Sequence, residues 1–97
     1  MLNQVIMVGR LTNDPEVKEE KAYITLAIPR SYKNAEGCYD TDFINCVLFN
    51  SIASNTAEYC KKGDIVGVKG KLQSNDETDN KIEVIAEKVT FLSSKRD

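Results

Sequence analysis

The alternation of apolar and polar residues is clearest between positions 41 and 50. At the strand period of two, Ile44, Cys46 and Leu48 form one apolar row, and Phe43 and Phe49 place two rings on the opposite face. A small domain has one core, so one row faces that core while the other exposes large rings. Exposed rings suit flat partners such as nucleic-acid bases, whereas burial of both rows would indicate a sandwich or a subunit contact.

Four further segments show a strand pattern, at positions 3–11, 22–28, 64–72 and 81–92. Gly9 indicates a bulge or a sharp coil in the first of them. Leu72 is expected to point inward at the end of the third. Ile82 is expected inward at the start of the last segment, where a change of phase predicts a register slip near Glu87. Glu16, Glu19 and Glu20 are interpreted as an acidic loop.

One helical pattern follows the aromatic strand. Asn50 or Ser51 is expected to cap this helix, and Gly63 to end it. Lys61 and Lys62 would then occupy its last turn. Five strands with one helix between the third and fourth predict an all-β OB-fold, a five-stranded Greek-key barrel.

Composition narrows the choice of function. The 97 residues form one domain, expected at 1–92 with a short stub at 93–97. The 13 basic and 15 acidic residues give a net charge of -2, so a polyanion must be bound by the placement of charges rather than by their number. The chain has no histidine, no nucleophile beside a base and no phosphate-binding glycine loop. No enzyme, cofactor or metal site is therefore expected.

The cysteines and the hydropathy bear on location. Three cysteines without a C-x-x-C pair do not make a disulfide framework and fit a reducing cytoplasm. Cys46 and Cys60 are expected in the core, and Cys38 in an exposed turn. No apolar run approaches the roughly 20 residues that span a bilayer, so no membrane association is expected.

Several motifs together resemble bacterial single-stranded DNA-binding proteins. They are NQVIMVGRL at 3–11, DPE at 14–16, TLA at 25–27, RSY at 30–32, DFINCVLF at 42–49, YCKKG at 59–63, GVKGKLQ at 67–73 and VIAEKVTFL at 84–92. The likeness covers nearly the whole chain in order. It implies an OB-fold that protects single-stranded DNA in replication, recombination or repair.

The resemblance also implies a site and an assembly. Bases would stack on Tyr32, Phe43 and Phe49. The basic residues at positions where the family tends to place positive charge are Arg10, Arg30, Lys33, Lys62, Lys69 and Lys71. The implied assembly is a homotetramer, with a dimer as the open alternative.

Two departures from the family pattern keep a second function open. The loop at 76–79 is acidic where relatives carry basic and aromatic residues, and it should repel a phosphate backbone. The acidic-tipped tail through which relatives recruit other proteins is also missing, so tail-mediated partners are not expected. These departures motivate the alternative of a dimeric OB-fold interaction module of the replication-restart type. Affinity for oligo-dT weaker than about tens of micromolar in low salt would favour that alternative.

Overall fold

Six strands and one helix make up the part of the chain that the computed structural model describes, residues 1–75 and 82–93. The elements are β1 (Val5–Leu11), β2 (Glu16–Lys18), β3 (Lys21–Lys33), β4 (Tyr39–Phe49), α1 (Asn50–Tyr59), β5 (Ile65–Ser74) and β6 (Ile82–Ser93). The predicted acidic loop at 76–79 lies outside these residues. No helix in the described ranges is long and apolar enough to cross a membrane.

The strands pair in the order β1-β5-β6-β4-β3-β2, and a further pairing of β1 with β3 closes the sheet into a barrel. All pairings are antiparallel except that of β4 with β6. Without the short β2, five strands form the barrel, and α1 lies between the third and fourth of them. The predicted OB-fold is therefore confirmed. The prediction of an acidic loop after β1 is wrong in part, because Glu16–Lys18 forms a strand that pairs with the start of β3.

The core fills the interior of this barrel. Leu11, Leu26, Leu48, Val66 and Val68 are fully buried there. Burying each such side chain contributes about 1.5–3 kcal/mol, so this cluster supplies much of the drive to fold. The predicted inward row of β4 is confirmed: its cysteine and leucine are buried, and its isoleucine packs against the core. The alternate residues of β4, which include Phe43 and Phe49, therefore lie on the outer face of the barrel.

Two glycines mark close approaches of the backbone. An added Cβ at Gly9 would lie 2.8 Å from Ile28 Cγ1, at the point where β1 meets β3. The β1–β5 register runs without a shift across Gly9, so the expected bulge is absent there. At Gly70 an added Cβ would overlap the carbonyl oxygen of Ile85. The β5–β6 register shifts beside Gly70 and leaves Glu87 without a cross-strand partner, which confirms the predicted slip.

The ends of α1 differ from the prediction. Phe49 occupies the N-cap position, and no side chain in the described part of the chain caps the helix. The helix ends at Tyr59, because the buried Cys60 adopts an extended backbone and turns into the core. Gly63 lies beyond, in a turn with φ +94°. Lys61 and Lys62 consequently follow the helix rather than occupying its last turn.

The hairpin of β5 and β6 extends past the barrel wall. Leu72 and Ile82 were expected inward, yet both are about half exposed, at 46% and 58%. The pairing of β1 with β5 stops at Gly70, so no strand among the described residues pairs with the continuation of β5 on that side. The Asn3 side chain instead exchanges two hydrogen bonds with the backbone of Leu72, at 2.8 and 2.9 Å.

Candidate nucleic-acid interface

Two of the three rings that the family resemblance implies as stacking positions are exposed, one on β3 and one on β4. Phe43 is 65% exposed and Tyr32 is 63% exposed. The residue paired with Phe43 on β3 is Ala27, whose small side chain leaves the ring face open. Tyr32 lies between Pro29 and Lys33, where the pairing with β4 is irregular. A base could reach either ring from solvent.

Phe49 is less open than the sequence predicted. It is half-buried, and Lys21 on β3 holds its ammonium group 5.4 Å from the ring centroid. Val47, on the same face of β4, is buried because β6 pairs alongside it. The outer row of β4 is therefore open around Phe43 and covered near its end. Lys21 was missed because the register that sets it opposite Phe49 was not known from sequence.

A cleft of about 700 Å³ lies between the two ends of this row. Its floor includes Tyr23 and Thr25 from β3, with their cross-strand partners Val47 and Asn45 from β4. The Thr25 hydroxyl donates a hydrogen bond to Asn45 Oδ1 at 2.8 Å. None of these four residues was predicted to contact DNA. The alternation in 22–28 was the available signal.

Arg30 is held by an acidic neighbour. Its guanidinium donates to both carboxylate oxygens of Asp42, with Nε at 3.1 and 3.2 Å and Nη2 at 2.9 Å. Asp40 lies 3.9 Å from the same group. Hydrogen bonding to Asp42 raises the pKa of Arg30, and the same bonds hold the pKa of Asp42 below its ordinary value. The pair is charge-neutral, so Arg30 does not present a full positive charge to a phosphate.

Arg10 and Lys62 help to fix the loops beside the barrel. Arg10 Nη1 donates a hydrogen bond to the carbonyl of Gly63 at 3.2 Å. The backbone N–H of Lys62 donates to Asp14 Oδ1 at 2.8 Å, which ties the β1–β2 turn to the segment after α1. The Lys62 side chain remains exposed.

Three other predicted cations are exposed. Lys33 ends β3 and Tyr39 begins β4, and the ammonium group of Lys33 lies 5.8 Å from the ring centroid of Tyr39. Lys69 and Lys71 lie on β5, and Lys69 pairs across the sheet with Lys88 on β6. Within residues 1–75 and 82–93, no ion pair neutralises Lys33, Lys69 or Lys71. The structure thus places the rings on β3 and β4 and two of the available charges on β5.

Within residues 1–75 and 82–93, no group of three or more potential ligands could hold a metal ion. Cys46 and Cys60 are buried and Cys38 is exposed, as predicted.

Comparison with known proteins gives a consistent assignment. The model of the single-strand binding protein family matches residues 2–92. The chain is 44% identical to single-stranded DNA-binding protein B of Bacillus subtilis, over 98% of this chain and 94% of that protein. It is 40% identical to single-stranded DNA-binding protein 3 of Listeria innocua, over 99% of this chain and 67% of the relative.

A third relative extends further than this chain. Single-stranded DNA-binding protein 1 of Staphylococcus aureus is 42% identical over 98% of this chain, and the match covers 64% of that protein. The closed barrel, the open ring of Phe43 and the family match over almost every residue agree with one another. The chain belongs to the single-strand binding protein family.

Proposed function

We propose that this protein binds single-stranded DNA with little sequence preference, and that it does so as a binding protein rather than an enzyme. The observation that carries the proposal is the ring of Phe43, 65% exposed on a strand whose other face is core. An aromatic ring in that position costs solubility unless a partner covers it. Every base offers a π-face, so stacking is tolerant of sequence. Replication, recombination and repair are the settings in which such protection is needed.

Stacking and charge contribute separately. Each base stacked on Tyr32, Phe43 or Phe49 is worth about 1–3 kcal/mol, judged by alanine substitution. Lys33, Lys62, Lys69, Lys71 and Arg10 are the proposed phosphate contacts, and Arg30 would join them only if DNA displaced its pairing with Asp42. Each neutralised phosphate of a single strand contributes about -0.7 to the slope of log affinity against log salt. With a net charge of -2, the protein depends on stacking for the larger share.

Replacing Phe43 by alanine tests the proposal. Labelled oligo-dT binding, followed by fluorescence anisotropy, should weaken at least about tenfold because one stacked base is lost. Phe91→Ala is the matched control, since Phe91 is 48% exposed but packs beside Tyr59 on another part of the surface. Equal affinity in wild type and Phe43→Ala would refute the stacking role. Wild-type affinity weaker than about tens of micromolar in low salt would instead favour a protein-interaction module.

We also propose that the protein acts as a homo-oligomer in the cytoplasm. Ile6 and Val8 on β1 are 72% and 55% exposed on one face. Beyond β5, the only described strand that pairs with β1 is β3, and only at Arg10 and Leu11, so residues 5–8 present an open edge. An apolar strand with an open edge favours pairing with a second copy. A tetramer is the proposed state.

Molecular mass measured by light scattering tests this assembly. A mass four times that of the chain is expected, and Ile6→Glu should lower it because a charge would be buried in the contact. A mass of twice the chain would replace the tetramer by a dimer. A monomer at micromolar concentration would overturn the proposed assembly altogether.

A further inference from the structure

We propose that three lysines on the outer face of β5 and β6 form a second anion-binding surface, which takes a multivalent phosphoryl ligand on the side of the barrel opposite the exposed rings. The three are Lys69 and Lys71 on β5 and Lys88 on β6, hereafter the lysine cluster. The proposed function already assigns phosphate contacts to Lys69 and Lys71. The inference adds Lys88 and a ligand that the rings do not touch.

The order of the strands separates the lysine cluster from the rings. Around the closed barrel the strands follow one another as β1-β5-β6-β4-β3, and β3 pairs with β1 again. The neighbours of β5 are therefore β1 and β6, so β5 lies across the barrel from β3 and β4, which carry Tyr32 and Phe43. Outer faces on opposite sides of a barrel point in opposite directions. A short strand of DNA on the rings would leave the lysine cluster uncovered.

The register places the three ammonium groups within reach of one ligand. Lys69 pairs directly with Lys88, which puts their Cα atoms about 5 Å apart. Lys71 is two residues further along the same face of β5, about 7 Å from Lys69. All three lysines are exposed, and their flexible stems can turn the ammonium groups toward a shared anion. The next pair on this face is Gly67 with Thr90, which brings only one small side chain and leaves the approach open.

No described residue neutralises the lysine cluster. In the part of the chain that the structure describes, none of the three lysines forms an ion pair. The adjacent carboxylate belongs to Glu87, the bulged residue without a cross-strand partner, and it forms no ion pair with Lys88 either. On its other side, Lys69 is paired with the apolar Ile6 of β1. Like charges directly opposite each other destabilise a sheet, so an anion that bridges Lys69 and Lys88 would stabilise this one.

The chemistry of lysine favours a multivalent phosphoryl ligand. An ammonium group is a compact point charge with rotatable donors, and it binds phosphate without requiring one fixed geometry. A chain of phosphoryl groups offers several anionic oxygens and can run along β5 from Lys69 to Lys71. Two ligands share this chemistry: a free polyphosphate chain, and the backbone of a longer DNA strand that continues around the barrel.

Thermal unfolding in sodium tripolyphosphate tests the lysine cluster. Tripolyphosphate should raise the unfolding midpoint of the wild-type protein by at least about 3 °C more than sodium chloride of equal ionic strength, because only the folded chain brings the lysines together. Lys88→Gln removes the charge but keeps most of the side chain, and it should reduce this difference to below about 1 °C. Lys18→Gln is the matched control and should keep the full difference, since it removes the same charge from β2, which pairs with β3 across the barrel.

Salt-dependent binding of a long oligo-dT distinguishes the two ligands. If the DNA backbone reaches the lysine cluster, Lys88→Gln should flatten the slope of log affinity against log salt by about 0.7. An unchanged slope, together with the wild-type response to tripolyphosphate, assigns the site to a free polyphosphate. The inference is overturned if tripolyphosphate acts no more strongly than sodium chloride and the slope is unchanged, or if Lys88→Gln retains the tripolyphosphate response. Phe43→Ala should leave that response intact, so a failure to bind oligo-dT would overturn the proposed function alone.

Discussion

Replacing Asp42 by asparagine removes the carboxylate that neutralises Arg30 and tests whether Arg30 can then bind a phosphate. The carboxylate accepts three hydrogen bonds of 2.9–3.2 Å from the guanidinium, so in the free protein the two charges cancel. Asparagine has nearly the same shape but is neutral and has one acceptor oxygen. We expect Asp42→Asn to release Arg30 toward the DNA backbone and to tighten binding in low salt.

The salt dependence gives the size of the effect. One additional cation that neutralises a phosphate should steepen the slope of log affinity against log salt by about 0.7. Over a fourfold rise in salt, the variant should then lose about two- to threefold more affinity than wild type. Lowering the pH cannot replace the mutation in a binding assay. Hydrogen bonding to Arg30 lowers the pKa of Asp42 below its ordinary 3.8, so the pairing is present above that pH and is lost only as the pH falls through the lowered value.

Anisotropy titrations with oligo-dT at several salt concentrations would measure both slopes. Asp40→Asn is the control, because it removes the same charge from β4 but lies 3.9 Å from Arg30 rather than in the paired geometry. Its slope should stay close to that of wild type. An unchanged slope for Asp42→Asn, or weaker binding in low salt, would show that Asp42 positions Arg30 for DNA instead of withholding it.

Three other outcomes are expected. Gly70→Ala should lower the free energy of unfolding, measured in urea, by about 1–3 kcal/mol, because the added Cβ would overlap a backbone carbonyl of β6. Gly67→Ala is the control: its Cβ would lie 3.6 Å from the nearest atom, so the free energy of unfolding should change by less than about 0.5 kcal/mol. Burial raises the pKa of the Cys46 thiol to about 12 from an ordinary 9.0, so the unfolded chain loses that proton first; stability should fall as the pH rises between these values, and Cys46→Ala should remove this component. Lys69→Ala and Lys71→Ala should each flatten the salt slope by about 0.7, and an unchanged slope would exclude that lysine from phosphate contact.

Much of the barrel was predictable because its core residues alternate strictly. The row Ile44–Cys46–Leu48 and the phase change at Glu87 both follow from a period of two, and the structure confirms them. The strand at Glu16–Lys18 could not be predicted, since all three residues are exposed and its pairing with β3 leaves no apolar signal. The prediction that Leu72 points inward was wrong, because Leu72 continues the apolar pattern of β5 beyond Gly70, where the pairing with β1 stops.

The site was predictable only where one strand determined it. The alternation of β4 places Phe43 on the face opposite the core, but the same pattern left burial of both faces open until the structure showed the ring exposed. The pairing of Arg30 with Asp42 depends on how β3 and β4 align across the irregularity after Pro29, which sequence spacing does not give. The same holds for Lys21 over Phe49 and for the bond between Thr25 and Asn45. Most of the interactions at the candidate site join residues on two different strands, so predicting them requires the register between those strands.

The two faces of β4 tie the stability of the barrel to its ability to bind. Core side chains and the ring proposed to stack on DNA occupy alternate positions of a single strand, so a one-residue insertion would exchange them. Such a change would drive a phenylalanine inward and leave the apolar row in water. A variant that loses DNA binding through a shifted strand should therefore lose the fold in the same event.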